Sequence, residues 1–216
     1  MQPTTILAYV ISAVAAYLLG SISFSIIITK QFAGTDVRAH GSGNAGATNV
    51  LRTAGKLPAL LTFAGDFLKC VVAIFITMAV ANAFNLTGEY RECLKYTAGI
   101  SCMLGHIFPV YFGFKGGKGV TTATAIMLLL DWRVFIIAFV IFAVLVLMTR
   151  YVSLGSVCAA ASLPFTTIAF QIADHQRYPV INTLLVSCIT LIIIVKHHEN
   201  ISRLLNGTES KIHSKS

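Results

Sequence analysis

Three polar segments, residues 38–52, 106–119 and 197–209, hold most of the side chains in this chain that could do chemistry. The first runs His40-Gly41-Ser42-Gly43-Asn44-Ala45-Gly46 and on to Arg52. The second contains Lys115-Gly116-Gly117-Lys118-Gly119, and the third gathers His197, Asn200, Arg203 and Glu209. Successive glycines let backbone N–H groups converge on an anion, and a neighbouring Lys or Arg adds charge, so this is the composition of a site that grips phosphate. A phosphorylated substrate is the first expectation. For either loop alone, glycines that merely turn the chain and lysines that anchor it at a membrane surface would be the better reading. Two such loops together with a His/Asn/Arg tail favour a shared site.

Two motif matches point elsewhere and fail on context. Gly41-Ser42-Gly43-Asn44-Ala45-Gly46 satisfies GxGxxG, with Asp66 about 20 residues on, but a dinucleotide fingerprint needs a preceding strand and a βαβ unit. Here an apolar helix comes before it and Asp66 sits inside the next one. Lys115-Gly116-Gly117-Lys118-Gly119 is like a P-loop, yet its glycine spacing is wrong and Gly119 stands where Ser or Thr should hold magnesium. Nucleotide hydrolysis is not supported.

The elements that must position these segments are oily. Of 216 residues 56% are hydrophobic and 11% charged, and mean hydropathy is +0.79, which leaves too few charges to cover a water-soluble surface. The expected class is an all-α, polytopic membrane protein forming one domain over residues 1–216. Apolar stretches at 6–29, 58–83, 94–112, 120–130, 134–149, 153–173 and 179–195 give seven candidate spans,. Residues 120–130 are short, and 94–112 carry His106 and Pro109 near one end. Five spans with that pair re-entrant is the alternative. The first stretch has its first positive charge, Lys30, at its far end, unlike a cleaved signal peptide, and reads as a retained helix,.

With seven spans, one side collects eleven Lys and Arg, from Lys30 to Lys215, against three acidic residues. The other collects four of each. The positive-inside rule makes the first side cytoplasmic and places the N-terminus in the periplasm and the C-terminus in the cytoplasm. All three polar segments, 30–57, 113–119 and 196–216 as loops, then share the cytoplasmic face. The five cysteines lie singly without metal-ligand spacing and read as small apolar packing residues, so neither a disulfide framework nor a metal site is expected,.

The motifs together closely resemble the bacterial acyl-phosphate:glycerol-3-phosphate acyltransferases, the PlsY family. The resemblance rests on Gly20-Ser21-Ile22, the run from His40 to Arg52, Gly105-His106-Ile107-Phe108-Pro109 with Phe114 to Val120, and Asn200-Ile201-Ser202-Arg203-Leu204-Leu205 with Gly207-Thr208-Glu209, in order along almost the whole chain. It implies a seven-helix bacterial inner-membrane enzyme that moves a fatty acyl group from acyl phosphate to sn-glycerol 3-phosphate. Lysophosphatidate and inorganic phosphate would be the products, in phospholipid biosynthesis. No cofactor is implied; the partners would be the two substrates, the lipid bilayer and the enzyme that makes acyl phosphate, with no nucleic acid.

Carried over by motif, Ser42, Asn44, Thr48, Asn49 and Arg52 line the site from the first loop. Lys118 and Lys115, with Gly116, Gly117 and Gly119, resemble the part that binds the phosphate of glycerol 3-phosphate. Ser153 resembles a serine reaching the same pocket, and His197, Asn200, Arg203 and Glu209 close it. Ser42, Arg52, His197 and Asn200 are the catalytic candidates by this resemblance, and Glu209 is structural. Ser23 and Ser25 stand where many members have Pro and Gly, and His198 where many have Arg. His106 reads as a structural histidine, and His40, His175 and His213 as loop residues. Asp66 and Lys69, three apart on one helix face, read as a self-neutralising pair, although ions in a span are functional candidates by default.

The chemistry asks mainly for positioning. Acyl phosphate is an activated anhydride with a good leaving group, and holding two dianionic groups together can account for about 7–11 kcal/mol of a barrier, while cations offset their repulsion. No Ser-His-Asp triad is evident, so direct attack by the glycerol hydroxyl without an acyl-enzyme is expected. Its proton goes either to His197 or to a substrate phosphate oxygen. A membrane transporter for organophosphates or other anions is the rival class; transporters usually show repeated halves and mid-membrane helix breaks, whereas the polar segments here gather at one surface.

Overall fold

The structure, a computed structural model, describes residues 2–212. His213 and Lys215, read above as a loop residue and a cytoplasmic charge, lie outside the described residues. Among the described residues the chain is helical without strands: α1 (Pro3–Gly20), α2 (Phe24–Ala33), α3 (Ala47–Ala54), α4 (Lys56–Ala83), α5 (Gly88–Ile107), α6 (Val120–Leu130), α7 (Trp132–Thr149), α8 (Val152–Ala173), α9 (Pro179–Lys196) and α10 (His198–Leu205). Among the described residues five stretches are long and apolar enough to cross a membrane: Pro3–Ala33, α4, α7, α8 and α9. α6 is apolar but short. α5 has 20 residues, with Glu89, Arg91, Glu92 and Lys95 crowded into its first half. Large apolar side chains such as Leu147, Met148 and Phe165 stand exposed on helix faces, which suits a lipid surround. The chain forms two compact units that divide between Leu129 and Leu130.

In the first unit α1 and α5 pack at backbone contact. Ala8, Ser12, Ala16 and Gly20 follow one another every four residues on the buried face of α1, the small-residue stripe that lets membrane helices approach closely. A Cβ on Gly20 would overlap the carbonyl of Cys102, and one on Gly105 the carbonyl of Tyr17. The stretch read as one span, 6–29, is interrupted at Ser21–Ser23, where Ser23 takes an extended conformation (φ −93°, ψ 92°) before α2 begins. That is the position where many members of the resembled family carry Pro, which ends a helix by removing an N–H donor. The stretch 94–112 also ends early: α5 stops at Ile107 and a 3-10 turn, Val110–Phe112, follows Pro109. Ile26, Val37, Ala45 and Val50 form a small buried cluster that fastens the first polar loop to α2 and α3.

In the second unit α8 packs on α7 and α9. Gly155 lets α8 approach α7, since a Cβ there would meet Val146 and Phe142. Pro164 lies inside α8 and cannot donate to the carbonyl four residues back. That carbonyl, on Ala160, instead accepts from the Thr190 hydroxyl of α9 at 2.9 Å. Without such a partner a bare carbonyl in hydrocarbon would cost several kcal/mol.

Candidate active site

The first loop is organised by Asn49. Its amide nitrogen donates to the carbonyls of Val37 (2.9 Å), His40 (2.9 Å) and Asn44 (3.1 Å), while Oδ1 accepts from the Ser42 N–H at 3.0 Å. The side chain is buried and its amide bonds to backbone, so Asn49, read from the motif as a residue lining the site, braces the loop from within. Gly41 (φ +58°) and Gly43 (φ +69°) supply the left-handed turns, and a Cβ on Gly41 would overlap Asn49 Oδ1,. Around this brace Ser42 and Arg52 are exposed and Asn44 and Thr48 half-buried. Thr48 and Arg52, four apart on α3, share one face,.

Arg38 joins this loop to the second one, a role that its charge alone does not signal. Its guanidinium pairs with Asp36, Nε at 3.0 Å and Nη2 at 2.7 Å, while Nη1 donates to the carbonyls of Phe112 (2.7 Å) and Lys115 (3.1 Å). The Arg38 hydrogen bonds hold the Asp36 carboxyl below its ordinary range,.

The second loop departs from the expected anion nest. The N–H groups of Gly116 and Gly117 do not turn outward; they donate to the carbonyls of Ile107 (3.1 Å) and His106 (3.0 Å), satisfying the end of α5. The glycines are needed for closeness: a Cβ on Gly116 would lie 2.7 Å from Pro109 Cδ, and one on Gly117 would overlap His106 Nε2 and lie 2.8 Å from the Ala45 carbonyl. Gly119 takes φ +84° just before α6. Cations on this loop are the exposed Lys115 and the half-buried Lys118. Lys118 stands two residues before the first helical residue of α6, whose N-terminal N–H groups carry the positive end of the helix dipole.

In the second unit Glu209 is the hub. Its side chain is 7% exposed. Oε1 accepts from Ser153 Oγ (2.8 Å) and Asn200 Nδ2 (2.7 Å), and Oε2 from Arg203 Nε (2.7 Å). Burial pushes its carboxyl upward, but the three donors outweigh that and leave it below its ordinary value,. Gly207 (φ +68°) turns the chain after α10 so that Glu209 folds back on it. The backbone N–H of Ile212 bonds to the Arg150 carbonyl at 2.9 Å, fixing the following segment to the α7–α8 corner. His197, buried, is bonded through Nδ1 to the Ile193 carbonyl at 2.8 Å. A carbonyl can only accept, so Nδ1 carries the proton and the neutral ring has its lone pair on Nε2. His198 sits exposed beside it. Thus Ser153, Asn200, Arg203 and Glu209 are brought together as one network, with His197 at the junction of α9 and α10.

Residues 10–207 match the family model described as glycerol-3-phosphate acyltransferase. The glycerol-3-phosphate acyltransferase of Clostridioides difficile is 43% identical over 210 residues, covering 97% of this chain and 98% of that protein. Its counterpart in Syntrophotalea carbinolica is 42% identical over 204 residues, covering 94% and 97%. A crystal structure of PlsY (YgiH), an integral membrane glycerol 3-phosphate acyltransferase, in its glycerol 3-phosphate form, is 38% identical with a TM-score of 0.80 over 95% of this chain and 96% of that one. The lysophosphatidic acid form of the same enzyme gives 36% identity and a TM-score of 0.77, covering 95% of each. With these matches spanning nearly its full length, and with membrane-length apolar helices throughout, the chain belongs to the glycerol-3-phosphate acyltransferase family of integral membrane proteins.

Proposed function

We propose that this protein transfers a fatty acyl group from acyl phosphate to sn-glycerol 3-phosphate, releasing lysophosphatidate and inorganic phosphate, with the whole chain acting as one membrane enzyme. The observation that carries the reading is the likeness, over 95% of the chain, to an acyltransferase structure in its glycerol 3-phosphate form. In this reading Lys118, at the N-terminal end of α6, grips the acceptor's phosphate, and Gly116 and Gly117 let its loop lie against α5. Ser42, Arg52 and Arg203 align and neutralise the reacting phosphates. Glu209 holds Arg203, Asn200 and Ser153 in place. The acceptor hydroxyl oxygen bonds to the acyl carbon, the bond from that carbon to the donor's bridging oxygen breaks, and phosphate leaves with the electron pair. The hydroxyl proton passes to His197 Nε2, whose lone pair is set by the Nδ1 bond to Ile193,.

For topology we propose seven crossings, with α5 and α6 as the two weakest, in the bacterial inner membrane with the N-terminus periplasmic and the polar segments cytoplasmic. The support is the charge asymmetry between alternate loops,. The deciding experiment for the reaction uses protein purified in lipid and follows phosphate release from acyl phosphate with and without glycerol 3-phosphate. Release that depends on the acceptor, with little turnover of acyl-CoA or acyl carrier protein, is the expected result. Robust direct use of either thioester would overturn the donor assignment, and uptake of glycerol 3-phosphate into vesicles without phosphate release would favour a transporter.

A further inference from the structure

α4 buries two charged side chains for which the proposed reaction has no use. Asp66 is 1% and Lys69 5% exposed. The Lys69 ammonium lies 2.7 Å from Asp66 Oδ1, 2.7 Å from the Ile22 carbonyl and 3.2 Å from His106 Nδ1. The pairing read from the sequence is therefore incomplete: a second helix, α5, and the break between α1 and α2 also meet this cation. An ammonium has three donors and no lone pair. It can only donate, so in the 3.2 Å contact His106 Nδ1 accepts and the ring proton of the neutral histidine sits on Nε2,. Asp66 Oδ1 is 3.5 Å from the same Nδ1, longer than a charge-assisted bond, so it does not compete for that nitrogen as an acceptor.

The other edge of the His106 ring faces the second polar loop. Nε2 occupies the space that a Cβ on Gly117 would take, and the Ala45 carbonyl of the first loop borders the same space. The His106 carbonyl receives the Gly117 N–H. One ammonium thus ties the end of α1, the middle of α4 and the last turn of α5 to the residue preceding Lys118. We propose that Lys69, by fixing His106 as the Nε2–H tautomer, is a positioning residue for the Gly116-Gly117-Lys118 segment, with Asp66 as its countercharge. The inference rests on the reading that Lys118 binds the acceptor's phosphate.

Two measurements test it. In protein labelled with 15N-histidine and held in lipid nanodiscs, the His106 signals are identified by their loss in His106→Gln. Nδ1 should show the unprotonated and Nε2 the protonated type of shift, and this preference should collapse in the paired variant Asp66→Asn/Lys69→Met, which keeps the membrane interior neutral. In kinetics, His106→Asn places an oxygen where Nδ1 was and nothing at Nε2; it should raise KM for glycerol 3-phosphate about tenfold, the size of one lost hydrogen bond, with little change in KM for acyl phosphate. His106→Gln, whose amide reaches the Nε2 position, should lose less, and Asp66→Asn/Lys69→Met should follow His106→Asn. Lys118→Ala separates the two layers of the argument. If it leaves the acceptor KM unchanged, the phosphate assignment falls and the inference falls with it. If Lys118→Ala raises that KM while the His106 and Lys69 variants only lower folded yield or kcat, or if the proton is found on Nδ1, the positioning role alone is overturned.

Discussion

His197 shows how a single backbone contact can set a side chain's chemistry. With Nδ1 committed to the Ile193 carbonyl, the neutral ring offers Nε2 as its basic atom. His197→Ala should therefore lower kcat by about 10²–10⁴-fold if the ring is the general base, with a smaller effect on the KM of either substrate; a loss of only a few-fold would assign the proton to the substrate's phosphate. The residue types at such positions were legible in the sequence, but their duties were only partly so. Asn49 lies in the right loop, yet its amide is consumed by three carbonyls whose convergence depends on the turns at Gly41 and Gly43. Gly116 and Gly117 carried an anion-nest signal, and their N–H groups instead serve the end of α5. Spacing reveals which groups are near in sequence and not which carbonyls a fold leaves unpaired.

The Glu209 carboxylate ties the C-terminal segment to both α8 and α10. Because the folded Glu209 carboxyl is held below its ordinary value, its stabilising contribution is complete above the unfolded pKa and is lost as pH falls through the folded one. Protease nicking between Arg203 and Lys211 should rise on acidification through that lower range. Glu209→Gln should be nicked readily at neutral pH, since its amide would set a donor against Arg203 Nε, and its nicking should no longer respond to acid in that range. Of the elements, α6 has the bounds that its apolar run suggests, and α7, α8 and α9 differ from theirs by one or two residues at an end. The short helices α3 and α10 were hidden inside polar loops because only one face of each is apolar. The break between α1 and α2 was hidden because Ser21, Ile22 and Ser23 do not forbid a helix.

Across the whole molecule the uneven distribution of Lys and Arg makes a sharp statement about orientation,. In a cysteine-free background, Ser42→Cys, Lys115→Cys and Gly207→Cys should react with a membrane-impermeant thiol reagent only after the cells are opened, and Tyr90→Cys in intact cells. Reaction of Ser42→Cys from outside would reverse the topology. The buried cation on α4 also bears on how such a chain enters the bilayer. A lone Lys or Asp near the centre of an inserting helix costs about 2.5–3.5 kcal/mol on insertion scales. Asp66 and Lys69 sit on the same helix, three residues apart, so each can neutralise the other while α4 is passing from the translocon to lipid. His106 is 37 residues further along, and at ordinary synthesis speeds it emerges roughly 2–7 s later. The acid–base pair therefore serves as a temporary passport for the lysine, carrying it into the membrane ahead of the histidine that will use it.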